Sequence, residues 1–133
     1  MRITHEADYA IRIIYVLMQD GGTVSAREIS ERSGVTLRFT LKILNKLGSE
    51  GVVAARKGTS GGYSLASQPD ELTLGRIIEC IDGPLELNHC LSDEFSCTRV
   101  KDKNLCRMHR IFDDMNRRFK EELYSIKISD IIE

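Results

Sequence analysis

Apolar residues open the chain at helical spacing: Ala7, Ile11, Ile14 and Met18 recur three or four apart. Thr4 precedes them as an N-cap, Glu6 and Asp8 lie near the positive helix end, and Gly21-Gly22 closes the run. Ser25-Ala26-Arg27-Glu28 has the form of a capping box and predicts a second, short helix through Arg32. Ser33-Gly34-Val35 is a tight turn of the kind that joins the two helices of a helix-turn-helix. Thr36 then caps a third helix, LRFTLKILNKLGSE, whose residues Phe39, Ile43, Leu44 and Leu47 form one apolar arc. Arg38, Lys42, Asn45, Lys46 and Ser49 fall on the opposite side, with Leu41 at the edge.

After Gly51 the period changes. Val52-Val53-Ala54 and Tyr63-Ser64-Leu65 predict two short strands, and Arg56 to Gly62 between them is a glycine-rich basic turn. Pro69-Asp70-Glu71 marks a boundary, giving an N-terminal unit of residues 1–68 and a second of 69–133. In the second unit Thr73 caps a helix that ends at Gly83-Pro84, with Cys80 among isoleucines as a small buried hydrophobe. From about Asn104 to Ser125 a long helix carries the seam Leu105, Met108, Phe112, Met115, Phe119 and Leu123. Such a seam suits a partner helix, either helix one of the same chain or the same helix of a twin. The last residues, IKISDIIE, alternate only weakly and remain unassigned.

The predicted fold is therefore mainly α with a small β-hairpin: a winged helix-turn-helix followed by a long C-terminal dimerisation helix. Charges at the spacing seen on helix three commonly mean only a solvated face. Here the face has no acidic residue before Glu50 and follows a helix-turn, as expected of a recognition helix that needs donors for phosphates and base edges. Thr36, Arg38, Lys42, Asn45 and Lys46 are its candidate DNA contacts. Arg56, Lys57, Gly58, Thr59 and Ser60 at the wing tip are candidates for phosphates or a minor groove. Overall charge is silent, at −1. Divided, the chain is not: residues 1–66 hold nine Lys/Arg against six Asp/Glu, and residues 67–133 hold ten against fourteen. The basic half is the one with the helix-turn-helix.

One stretch of the acidic half needs a different explanation. Between Cys90 and His109 three cysteines and a histidine follow the spacing C-x6-C-x8-C-x2-H, among residues with little to bury. Soft thiolates on a loop suit a metal or an iron–sulfur cluster. A disulfide, a redox thiol and chance are the alternatives, and Cys₃His would serve zinc, although this spacing is loose for it. The first residues carry acids and no small-residue cleavage site, and no apolar run reaches the roughly 20 residues that span a bilayer. A cytoplasmic location follows, where reducing conditions disfavour structural disulfides. No nucleophile-elbow or phosphate-loop glycine pattern is present, so an enzyme is not expected.

Taken together, ITHEADYAIRIIYVL, VSAREISERSGV, KILNKLGSEGVV, RKGTSGGYSLA, LTLGRIIECIDGPLEL and the cysteine loop resemble the Rrf family of bacterial transcription regulators, over nearly the whole chain. The resemblance implies a homodimer that binds an imperfect palindrome in double-stranded DNA and does not engage a membrane, and a 2Fe–2S or 4Fe–4S cluster that controls operator affinity. Matched by position, Cys90, Cys97 and Cys106 are the cluster ligands. For the fourth, His109 matches one branch of the family and Asp8, donated by the second subunit, matches another. The gap between Cys97 and Cys106 is longer than in the family's best-known members, a departure from the histidine branch that favours Asp8.

Overall fold

A computed structural model describes residues 2–131, with five α-helices and one two-stranded hairpin among them. Helix α1 (His5–Asp20) begins where Thr4 Oγ1 accepts from the Ala7 N–H at 3.1 Å. It ends at Gly21, whose N–H returns to the Leu17 carbonyl at 3.0 Å. Ala7, Ala10, Ile13, Ile14, Val16, Leu17 and Met18 are all buried, more than one stripe of the helix. That breadth follows from its central place: α1 packs against α2 (Ala26–Ser33), α3 (Leu37–Ser49) and α4 (Leu74–Asp82).

Ser25 caps α2 by accepting from the Glu28 N–H at 3.2 Å. The return half of the capping box is not made, because the Glu28 carboxylate pairs with Arg32 one turn on, at 3.3 Å. In α3 the buried stripe is Thr40, Ile43, Leu44 and Leu47. Phe39, expected on that arc, is 41% exposed. It lies to one side of the stripe, where its ring meets Tyr9 edge-on at 6.0 Å. Thr40 takes the interior position and satisfies its hydroxyl on the Val35 carbonyl at 3.4 Å.

The hairpin pairs β1 (Val53–Arg56) with β2 (Gly62–Leu65), Arg56 facing Gly62 and Val53 facing Leu65. Val52 precedes the strand rather than opening it. Tyr63 also exchanges both backbone hydrogen bonds with Val24, at 2.8 and 2.9 Å, which ties the hairpin to the residues leading into α2. Gly62 permits this approach: its φ is +154°, and a Cβ there would lie 2.3 Å from the Val24 carbonyl oxygen.

Thr73 caps α4 at the Arg76 N–H, 3.2 Å away. Ile77, Ile78 and Ile81 face the core, and Cys80 is only half-buried at its margin. The long helix α5 (Arg107–Ser125) starts later than its apolar pattern suggests. Lys103–Leu105 make a separate 3₁₀ turn and Cys106 is an extended N-cap, so Leu105 is 79% exposed. Only Leu123 of the seam is buried; Met108, Met115 and Phe119 are exposed, as is Ile111. The chain then returns to the core, where Ile128 is buried and its N–H bonds to the Leu72 carbonyl at 2.8 Å. One continuous cluster of buried side chains runs from Ala7 to Leu123 and Ile128.

Candidate functional site

Two groups of side chains stand apart from this core. The first lies on α3 and the hairpin. Arg38, Lys42 and Asn45 are exposed and Lys46 half-exposed, while the Thr36 hydroxyl serves as cap to the Phe39 N–H at 3.4 Å. The structure corrects one expectation about this face: it does carry an acid. Packing of α1 on α3 brings Glu6 between two lysines, Oε1 at 2.5 Å from Lys42 Nζ and Oε2 at 2.8 Å from Lys46 Nζ. Hydrogen bonds from Lys42 and then Lys46 hold the Glu6 carboxyl down at about 2. No pattern along the chain links residues 36 and 40 positions apart, so this contact was visible only in three dimensions.

At the hairpin tip Arg56, Lys57, Gly58, Thr59 and Ser60 are all exposed. The turn is closed by the Gly61 N–H on the Gly58 carbonyl at 3.1 Å. Among the described residues Arg38, Arg56 and Lys57 make no ion pair. A surface of this kind offers cations to a polyanion without first having to release them.

The second group gathers at the N-terminal end of α5. Cys90 sits in a 3₁₀ turn (His89–Leu91), Cys97 in irregular loop and Cys106 at the N-cap of α5. All three thiols are free and line one cavity of about 220 Å³ together with His109, Phe95 and Met108. Backbone N–H groups of Val100 and then Arg99 lower the Cys97 thiol. The Cys106 thiol is lowered chiefly by the His109 N–H. None of the helix N–H groups completes a hydrogen bond to Cys106, so the effect is that of the positive helix end. Arg99 adds to it, its Nη2 donating to Cys106 Sγ at 2.7 Å. His109 Nδ1 is buried with no hydrogen-bond partner. Among the described residues no three of these groups converge as closely as a single bound ion requires.

Of the expected ligands, then, Cys90, Cys97, Cys106 and His109 share a cavity and Asp8 does not join them within one chain. Asp8 lies half-exposed on α1, paired with Arg12 at 2.8 Å. Arg99 was not expected; a basic residue inside the longer cysteine gap was the available signal.

A family profile described as Rrf2, iron-dependent transcriptional regulator, matches residues 3–133. The chain belongs to the Rrf2 family. Its relatives include the HTH-type transcriptional regulator IscR of Aliivibrio salmonicida, 28% identical over 134 residues, covering 99% of this chain and 77% of that protein. Among solved structures, that of CymR, the global cysteine regulator of B. subtilis, superposes with a TM-score of 0.78 at 24% identity over 98% of this chain and 95% of that one. That of T. potens IscR gives 0.74 at 23% over 98% and 85%. Both share the fold. As an Rrf2 protein the chain is a DNA-binding transcription regulator and not an enzyme. The Gly61-Gly62-Tyr63 passage of this Rrf2 wing has a physical role: it is the stretch pinned against Val24. No helix among the described residues is long and apolar enough to cross a membrane.

Proposed function

We propose that this Rrf2 protein is a homodimeric repressor whose affinity for a palindromic operator is controlled by an iron–sulfur cluster held by Cys90, Cys97 and Cys106. The reading is carried by one observation: three loop thiols and the unpartnered, buried Nδ1 of His109 line the same cavity. These donors fit the group, because two of the thiols are lowered toward the thiolate that ligates iron and an orphaned imidazole nitrogen lacks any other partner. A bound cluster would supply one-electron redox chemistry and sensitivity to oxidants.

For the fourth ligand the buried nitrogen favours His109 over Asp8, although the longer cysteine gap and the family position favour a carboxylate from the second copy. Arg38 and Asn45 would read base edges, and residues 56–60 the backbone phosphates. The exposed seam of α5 would make the dimer. Residues 1–68 would then read DNA and residues 69–133 sense, a division of labour over one shared core.

The test is anaerobic purification with iron and sulfide assays and a visible spectrum. A brown protein that loses colour on Cys90→Ala, Cys97→Ala or Cys106→Ala is expected. His109→Ala should alter the spectrum and Asp8→Ala leave it unchanged; the opposite pattern would move the fourth ligand to Asp8. A colourless protein containing zinc would refute the cluster.

A second reading, a thiol switch without a cluster, is favoured by the Arg99 contact to Cys106 and by the likeness to a cysteine regulator. A colourless protein that loses the mass of two hydrogens on mild oxidation, as a disulfide forms, would support it.

A further inference from the structure

The recognition face of α3 carries Arg38, Lys42 and Lys46, and one acid is built into it. We infer that Glu6 is an intramolecular competitor for DNA, its carboxylate standing where backbone phosphates would bind Lys42 and Lys46, so that it weakens binding to non-operator duplex. The inference rests on the reading that α3 faces DNA.

Both carboxylate oxygens are engaged, one per lysine, at 2.5 and 2.8 Å. A phosphate presents the same feature to a lysine ammonium, an anionic oxygen accepting a charge-assisted hydrogen bond. The carboxylate is delivered by a fixed element rather than a mobile side branch. Glu6 lies two residues past the Thr4 cap, and Thr4 is itself held by Asp82 at the end of α4, its N–H at 3.3 Å from Oδ2 and its hydroxyl on Oδ1. Neighbouring groups leave Glu6 to this task. Asp8 is paired with Arg12, and Tyr9 packs on Phe39.

The consequence is selective. Non-operator DNA offers α3 only phosphates, and each must displace the carboxylate to gain a lysine. An operator also engages Arg38 and Asn45, which Glu6 does not touch. A competitor of this kind lowers non-specific binding more than specific binding and so widens the ratio between them.

The experiment compares the wild-type protein with Glu6→Gln on a random-sequence duplex, by fluorescence anisotropy over a salt series. Freeing two lysines should tighten binding roughly two- to thirtyfold, the range of two exposed ion pairs. It should also steepen the slope of log affinity against log salt by up to about 1.8. In a Lys42→Met/Lys46→Met background Glu6→Gln should have no effect. Arg38→Ala reports separately on whether α3 meets DNA. If Arg38→Ala weakens binding while Glu6→Gln changes neither affinity nor slope, the competitor is refuted and α3 stays in the interface. Weaker binding by Glu6→Gln, with its fold verified by circular dichroism, would make Glu6 a positioning residue and overturn the inference. An effect that persists without the lysines would reduce it to general charge repulsion and overturn it too. No effect of Arg38→Ala would remove both α3 and the inference.

Discussion

The hairpin tip offers a quantitative test of how this protein holds DNA. Arg56 and Lys57 are exposed and make no ion pair among the described residues, so a phosphate contact by either displaces only counterions. Replacing both with Ala should leave the backbone in place, because the hairpin is fixed through Tyr63 and Val24 and neither substituted side chain takes part. Each phosphate contact adds about 0.9 to the slope of log affinity against log salt. Two lost contacts therefore flatten it by about 1.8. Between about 50 and 200 mM salt, a fourfold change, the advantage of the wild-type protein should shrink about twelvefold. The loss should be equal for all sequences, since phosphates carry no sequence information. Anisotropy titrations on one duplex at four or five salt concentrations suffice. Parallel lines for wild type and variant would take the hairpin out of the interface.

Three further outcomes are expected. Met115→Asp places a charge in the exposed apolar seam of α5 and should shift the protein toward monomer in sedimentation velocity, whereas a wild-type monomer at micromolar concentration would contradict the dimer. Gly62→Ala sets a Cβ 2.3 Å from the Val24 carbonyl oxygen at a φ of +154°, and should cost about 1–3 kcal/mol in urea unfolding while loosening the wing. Glu6 has its folded pKa depressed to about 2, so its contribution is present above the unfolded value near 4.5 and is lost as pH falls from there toward 2. With both lysines exposed, that contribution is about 0.5–1 kcal/mol, and Glu6→Gln should abolish this part of the acid dependence in denaturation curves at pH 6 and pH 3.

What the sequence made legible was local. Thr4, Ser25, Thr36 and Thr73 each cap a helix by accepting from the N–H three residues on, an interaction written into adjacent residues. The two strands announced themselves by a change of period and a glycine-rich turn. Errors arose where a distant element chose. Phe39 has the right spacing for the core, but Thr40 is the residue that meets Val35 and the interior. Leu105 continues the apolar rhythm of α5, yet the helix starts only after Cys106, its extended N-cap, and rhythm alone cannot register that break. Ile128 in the weakly patterned tail is buried because Leu72 supplies a backbone partner. The cysteine cluster was legible as chemistry, whereas the burial of His109 Nδ1 and the reach of Arg99 to Cys106 are set by the folded loop.

Asn116 gives α5 the mechanics of a seesaw. Its side-chain amide donates to the Leu85 carbonyl at 2.8 Å and accepts from the Leu87 N–H at 3.0 Å, pinning the helix near its middle to the segment that follows α4. From Arg107 to this pivot is about 13.5 Å of helix, and from the pivot to Ser125 the same. At one end lies Cys106; at the other, Lys120 and Tyr124 both engage Glu79 on α4. A tilt of about 5° that lifts the cysteine end by roughly 1.2 Å would drive the far end the opposite way by the same distance. Such a shift would bear on the contacts of Tyr124 and Lys120 with Glu79, and so on the helix that holds Thr4 through Asp82. An event at the thiols would thus reach the base of α1 by way of α4, its direction reversed at the Asn116 pivot.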